Sequence, residues 1–260
     1  MAYDMPPADW PIAFSGEFSS GIHDGKWQTT YANGSRVHGD ELQIYVDPGF
    51  RNAAGELPLA DPFRSDDQGL SIVATKLRPE ETARFDGHGY LSGIITTYGQ
   101  FAQTYGYFEA RVQIPAGRGL WPAFWRLPVE FVYPPDPPEL DVFEVLGDRP
   151  SRVYLTLHSQ KLLFRREVQR QLDRPDLSAQ FHTYGLCWTE AKVTWYLDGA
   201  EVFSTGTPAD LHKPMFLLLN LAVGGAWPGS PDARTVFPAA MRVMWVRAYH
   251  APVPPTDARQ

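Results

Sequence analysis

The chain is poor in cysteine, in long apolar runs and in positive charge. Its single cysteine, Cys187, cannot form an internal disulfide, and its neighbours Leu186 and Trp188 favour a buried strand residue over a catalytic thiol. No stretch approaches the roughly 20 apolar residues of a membrane span. The formal net charge of −7 argues against nucleic acid or an anionic membrane as the partner.

Motifs for metal binding and for other catalytic mechanisms are also missing. The 7 histidines include no HExxH pair, and a single cysteine leaves a zinc site short of ligands. The sequence has no G-x-S-x-G elbow, no P-loop and no GxGxxG after a strand. These absences exclude zincins, serine hydrolases of the elbow type and common nucleotide-binding classes.

Aromatic residues, prolines and short apolar runs are abundant instead. Aromatics form 13% of the 260 residues, and 24 prolines exceed the usual share of about 5%. Asp198-Gly199 between two apolar runs predicts a two-residue hairpin. Many short strands with few helix signals predict an all-β sandwich or jelly roll. The predicted strands are 42–46, 70–75, 93–97, 106–114, 153–157, 182–188, 192–197, 215–221 and 241–249.

No internal repeat or low-complexity block divides the chain. We expect a single domain over residues 1–260, with a core of about 10–252 and a proline-containing tail at 253–260. Two long loops are predicted at 47–69 and 128–138. The second leads into an acidic strand, which favours a wall of a cleft. The first is either functional or a tolerated surface insertion.

That acidic strand reads Glu139-Leu-Asp141-Val-Phe-Glu144. Side chains alternate faces along a strand, so Glu139 and Asp141 share a face that Glu144 joins only through a β-bulge. The alternative is an edge strand protected by solvent-facing acids. We interpret the three carboxylates as a glycosidase site, where one glutamate attacks the sugar and the other, kept protonated by like charges, assists the leaving oxygen. Asp141 would orient the nucleophile.

Tryptophans near this strand are candidates for sugar binding. Trp121 and Trp125 are four residues apart and share a face if they lie on a strand, where they would either stack on pyranose rings or belong to the core. Trp227 lies in a glycine-rich turn, which favours a subsite at a rim. His158 ends the next strand, where it either hydrogen-bonds near the carboxylates or is structural.

Together these residues resemble glycoside hydrolase family 16, whose E-(I/L/V)-D-x-x-E signature is complete in Glu139 to Glu144. Further family landmarks occur in order at 105–111, 120–125, 181–188, 195–199 and 219–225. The resemblance implies a concanavalin-like β-jelly-roll sandwich of two antiparallel sheets with a concave substrate cleft. It also implies retaining, endo-acting hydrolysis of a β-linked polysaccharide, with Glu139 as nucleophile, Asp141 as auxiliary residue and Glu144 as acid/base.

Two departures from the family pattern bear on the substrate. Laminarinase-like members usually have Trp-Pro shortly before the nucleophile, where this chain has Tyr133 and prolines. They also commonly have an arginine at the position where this chain has Ile94. We therefore include Tyr133 among the substrate-binding candidates and predict a bacterial exopolysaccharide of the succinoglycan type. An endo-β-1,3- or β-1,3-1,4-glucanase is the alternative, followed by a transglycosylase or a non-catalytic carbohydrate-binding protein.

The resemblance also bears on ions, partners and location. Many members bind calcium through an aspartate near the last strand, where this chain has Met244, so we expect no cofactor and no metal. The expected partner is a β-linked polysaccharide, with no nucleic acid and no membrane, and we expect a monomer. The substrate suggests an extracellular or periplasmic location, although no signal peptide is visible at the amino terminus.

Overall fold

Strands dominate the computed structural model, which describes residues 10–18, 21–130, 136–161 and 164–251. Within these ranges the strands are β1 Ile12–Gly16, β2 Gln43–Tyr45, β3 Phe63–Asp66, β4 Gly69–Lys76, β5 Tyr90–Ser92, β6 Ile94–Thr96, β7 Gly106–Gln113, β8 Leu120–Pro128, β9 Glu139–Val145, β10 Arg152–Lys161, β11 Phe164–Asp173, β12 His182–Trp188, β13 Lys192–Leu197, β14 Ala200–Gly206, β15 Met215–Val223 and β16 Ala239–Tyr249. Short 3₁₀ helices cover Pro79–Phe85 and Ala209–Leu211. None of the helices in the described part of the chain has the length and apolar character of a membrane span.

The strands form two sheets. The larger sheet has the order β14-β13-β12-β7-β16-β4-β5-β2, with β1 paired to β16 and β3 paired to β4. The smaller sheet has the order β11-β10-β9-β8-β15-β6, so the acidic strand β9 lies near its middle. Pairing is antiparallel in the smaller sheet, whereas β2 and β5 of the larger sheet run parallel. The predicted all-β fold of two sheets is confirmed.

The main core contains apolar side chains from both sheets. Alternate residues of each strand point into it, as the period of two requires. Its fully buried members include Phe108, Val112, Leu186 and Val246 of the larger sheet and Phe124, Leu140, Leu157 and Leu217 of the smaller one. Packing one face of the smaller sheet in this way leaves its other face available for a site.

The predicted hairpin at Asp198-Gly199 is confirmed. Leu197 ends β13 and Ala200 begins β14, and the two turn residues have φ angles of 50° and 80°. Positive φ at both central residues is the type I′ requirement that Asp-Gly satisfies.

The predicted loop 47–69 is wrong at its end, where Phe63–Asp66 forms β3 against β4. Only Phe63 of that strand is buried, so the polar residues after it give no alternating apolar pattern.

Candidate active site

The three carboxylates of β9 are brought to one face by a bulge. Asp141 pairs with Thr156 of β10, and Glu144 pairs with Tyr154. Three steps along β9 therefore match two steps along β10, so one residue of β9 is unpaired. The register against β8 shifts at the same place. This is the two-against-one pairing of a β-bulge, as predicted from the sequence.

The two residues inside the bulge explain how Glu144 regains the face of Asp141. Val142 and Phe143 are consecutive, yet both are fully buried in the core between the sheets. Strict alternation would have buried only one of them. From the larger sheet, the indole N–H of Trp195 donates a hydrogen bond of 2.7 Å to the backbone carbonyl of Asp141. The bulge is thus anchored by a residue of the opposite sheet.

His158 lies beside the first two carboxylates. It pairs with Glu139 across the strands, and its Nε2 lies 3.2 Å from Oδ2 of Asp141, which is almost completely buried. Its Nδ1 lies 3.6 Å from Oε2 of Glu167 on β11. The imidazole therefore bridges the auxiliary carboxylate and the next strand, which orients Asp141. Sequence reasoning missed Glu167 because β11 had no strand signal.

Glu139, Asp141 and His158 each offer a ligand atom, and these atoms lie within 4.8 Å of one another. Calcium in proteins takes six to eight oxygen ligands, so two carboxylates and an imidazole make a poor calcium set.

The electrostatic surroundings of Glu144 favour its protonated form. Burial raises the pKa of Glu144 well above its ordinary value, and the negative charges of Asp141 and Glu139 raise it further. The indole N–H of Trp121 opposes this shift by donating a hydrogen bond of 3.1 Å to Oε1 of Glu144. A carboxyl group that keeps its proton at higher pH than usual can act as a general acid.

An aromatic cluster adjoins Glu144. Trp227 is 40% exposed and meets Trp121 edge-on, with ring centroids 5.1 Å apart. Tyr154 also meets Trp227 edge-on, with ring centroids 4.9 Å apart. The structure thus brings Trp121 and Trp227 together. Tyr154 was missed, although its spacing of four from His158 on one strand is the signal that would have found it.

Trp125 lies on the other side of the bulge, paired with Asp141 on β9. Its indole N–H donates a hydrogen bond of 2.7 Å to Oδ1 of Asn220 on β15. Tyr31 approaches the ring edge-on, with ring centroids 6.3 Å apart. Burial raises the pKa of Tyr31 well above its ordinary value, and the charges of Glu41 and Glu139 add to the shift. Trp121 and Trp125 therefore flank the carboxylates, as expected for residues on one strand face.

Three other sequence positions have different outcomes. Tyr133 lies outside the described residues. Ile94, which stands where laminarinase-like members have arginine, is fully buried and pairs with Asn220 of β15. Cys187 is partly buried, and burial raises its pKa to about 11, so the thiol is un-ionised at neutral pH.

Comparison with known proteins identifies the family of this chain. Residues 60–247 match the model of the Glycosyl hydrolases family 16. The endo-1,3-1,4-beta-glycanases EglC and ExsH of Rhizobium meliloti are 40% and 37% identical to this chain over 232 and 245 residues. These alignments cover 89% and 91% of this chain but 48% and 51% of the relatives, so the chain spans about half their length.

A solved structure has the same fold. The laminarinase catalytic domain from Thermotoga maritima superposes with a TM-score of 0.77 at 31% identity, covering 94% of this chain and all of that domain. The jelly-roll sandwich and the resemblance described above are thereby confirmed. The chain belongs to glycosyl hydrolase family 16.

Proposed function

We propose that this chain is a retaining endo-β-glycanase that cleaves a β-linked polysaccharide across strand β9. The observation that carries the proposal is the bulge, which gathers Glu139, Asp141 and Glu144 on the face of the smaller sheet that also carries Trp121 and Trp125. A carbohydrate-binding protein has no use for three carboxylates and a carboxyl group of raised pKa. Hydrolysis therefore has better support than binding alone.

The reaction would proceed in two displacements. In the first, the carboxylate of Glu139 attacks the anomeric carbon and forms a glycosyl ester, while the bond from that carbon to the glycosidic oxygen breaks. Protonated Glu144 gives its proton to that oxygen, so the departing sugar leaves with a free hydroxyl group. In the second, the carboxylate of Glu144 takes a proton from water, and that water attacks the anomeric carbon and releases Glu139. The raised pKa of Glu144 supports its role in the first step.

Asp141 and His158 serve this cycle without reacting. The charge of Asp141 raises the pKa of Glu144 and so helps keep the acid protonated. The contact of 3.2 Å between His158 and Asp141 holds that carboxylate in the face of the sheet. Losing either residue should therefore lower turnover more than it lowers affinity.

The substrate we favour is a bacterial exopolysaccharide of the succinoglycan type. Support comes from the resemblance of the Pro-Pro-Glu139 form of the signature to exopolysaccharide-trimming members, and from the similarity to two endo-1,3-1,4-beta-glycanases of Rhizobium meliloti. Such a polymer lies outside the cell, so we propose an extracellular or periplasmic location. The second candidate is an endo-β-1,3- or β-1,3-1,4-glucanase, favoured by the likeness to the Thermotoga maritima laminarinase domain.

The test is reducing-end release from succinoglycan, laminarin and mixed-linkage β-glucan side by side, with mass spectrometry of the products. Glu139→Gln is the blank. Discrete oligosaccharides from succinoglycan alone would support the favoured substrate, and products from the glucans alone would replace it with the second candidate. A product longer than the chains supplied, formed when a released fragment is joined to a second sugar chain, would indicate transglycosylation. Equal release by Glu139→Gln would refute the catalytic assignment itself.

A further inference from the structure

A chain of hydrogen bonds links Trp125 to a carboxyl group outside the acidic strand. The Trp125 indole donates to Oδ1 of Asn220 at 2.7 Å, and Nδ2 of Asn220 donates to the hydroxyl of Tyr45 at 2.9 Å. That hydroxyl donates to Oε2 of Glu41 at 3.4 Å, and Nε2 of Gln43 donates to the same oxygen. Glu41 thus ends a polar chain that begins at the ring beside the catalytic carboxylates.

The members of this chain have little freedom to rotate. Tyr45 and Gln43 are fully buried, and Asn220 is 5% exposed. The other end of the Gln43 amide is fixed as well, because its Oε1 accepts the backbone N–H of Val223 at 2.7 Å. Buried polar groups with satisfied hydrogen-bond partners keep one geometry. A change in the charge of Glu41 therefore alters the hydrogen bonds that lead to the Trp125 indole.

The residues next to Glu41 along the chain, Asp40 and Leu42, also contact the turn that contains Trp227. Oδ2 of Asp40 accepts the backbone N–H of Ala226 at 2.7 Å, one residue before that tryptophan. The backbone N–H of Leu42 donates to the carbonyl of Val223 at 2.8 Å. The Leu42 side chain occupies the space beside Gly224, where an added Cβ would lie 2.4 Å from it. Gly224 has φ of 75° and leaves the room that this packing needs.

We propose that the segment Asp40 to Tyr45 positions Trp125 beside the carboxylates and Trp227 in the adjoining aromatic cluster, with Glu41 as the positioning residue for Trp125. Asp40 fixes the turn before Trp227, while Glu41 fixes the indole of Trp125 through Tyr45 and Asn220. The sugar-binding consequence rests on the proposed function, because it requires Trp125 to contact the glycan. The positioning itself is a property of the free protein.

The protonation state of Glu41 bears on this role. Burial raises the pKa of Glu41 to about 7, and the charge of Asp40 beside it adds to the shift. The other titratable groups that interact with Glu41 are Tyr45, across the hydrogen bond, and Tyr31, which packs against Tyr45. Ionised Glu41 accepts a stronger hydrogen bond from Tyr45 than the acid does, so the polarisation of the chain follows pH.

The first experiment follows the indole N–H signals of the tryptophans by ¹⁵N NMR between pH 5 and 9, without substrate. Trp125→Phe and Trp121→Phe identify their own signals by loss. We expect the Trp125 signal to titrate with a midpoint of about 7, as Glu41 does. This titration should disappear in Glu41→Gln and in Tyr45→Phe, which breaks the chain with almost no change in shape. The Trp121 signal, bonded to Glu144 and not to this chain, should show the same pH dependence in both variants as in the wild type.

The second experiment measures kcat and KM on the polymer that the wild type cleaves. Tyr45→Phe removes the hydrogen bond that holds the binding ring, which should raise KM about three- to tenfold. Glu41→Gln keeps an acceptor oxygen and loses only the charge, so its KM should rise less, and kcat should stay within about twofold in both variants. The matched control is Glu201→Gln, an exposed glutamate on β14 of the other sheet, which should match the wild type in both experiments.

The outcomes separate the two proposals. An inactive wild type whose Trp125 signal depends on Glu41 refutes the proposed function and keeps the positioning role. A Trp125 signal that is unchanged in Glu41→Gln and Tyr45→Phe overturns the positioning role whatever the activity. A fall in kcat with unchanged KM also overturns it, because Glu41 would then act on the chemical step. If Glu41→Gln does not fold, Tyr45→Phe decides by the same signals.

Discussion

The hydrogen bond between Trp121 and Glu144 makes the pH dependence of the enzyme predictable. In Trp121→Phe an aromatic ring remains, but the N–H that donates to Oε1 of Glu144 at 3.1 Å is lost. That donor stabilises the ionised carboxylate, so its removal raises the already raised pKa of Glu144. If Glu144 is the general acid, the alkaline limb of kcat/KM must move to higher pH.

The size of the shift follows from the strength of the lost bond. A hydrogen bond to a charged group contributes about 1.5–3 kcal/mol, and 1.36 kcal/mol corresponds to about one pKa unit. At 3.1 Å the bond is longer than the roughly 2.7–2.9 Å of a strong charge-assisted hydrogen bond. We therefore expect the lower end of this range, a displacement of about one pH unit.

The assay is kcat/KM against pH, because its limbs report the groups of the free enzyme. Trp125→Phe is the matched control, since its lost hydrogen bond goes to Asn220 and not to a carboxylate of β9. It should lower the height of the profile and leave the alkaline limb in place. A limb that stays fixed in Trp121→Phe, moves to lower pH, or moves equally in both variants would refute the assignment of Glu144 as the acid.

Three further predictions concern single side chains. Glu139→Gln should abolish turnover and retain polysaccharide binding, with melting and binding measured on the same sample; near-normal activity would remove Glu139 as nucleophile. Trp227→Ala should weaken polymer binding about tenfold in titration calorimetry with little change in melting, because the ring is 40% exposed. Arg126→Ala should lower the free energy of unfolding, measured in denaturant, by about 3 kcal/mol. The change opens a cavity over Phe108 and removes hydrogen bonds to two backbone carbonyls. Unchanged stability would mean that the surrounding side chains close the cavity.

The sequence predicts the acidic strand well because its residue types conflict with simple alternation. Three carboxylates in an apolar run need a common environment, and only a bulge gives Glu144 the face of Asp141. Strands β12 and β13 also match their predicted bounds, since both alternate and Asp198-Gly199 separates β13 from β14. These features depend on residues that are close together in the sequence, so the local sequence is sufficient to predict them.

Other parts of the site depend on contacts between distant residues and give no local signal. Tyr45 and Asn220 are 175 positions apart, and nothing in either neighbourhood indicates the hydrogen bond between them. Strand β11 is missed for a different reason. It is a polar edge strand of the smaller sheet, and Glu167, which reaches His158, lies in a run without apolar alternation.

The residues that the neighbouring strands place opposite β9 explain why a single bulge is sufficient to form this site. Strand β10 supplies His158 opposite Glu139 and Tyr154 opposite Glu144, two residues four positions apart. Without the bulge, Glu144 would point into the core and Phe143 would take its place beside Asp141. The acid would then lose both the charges that keep it protonated and the indole of Trp121. The unpaired residue therefore sets the face, the proton affinity and the aromatic neighbour of the acid at once.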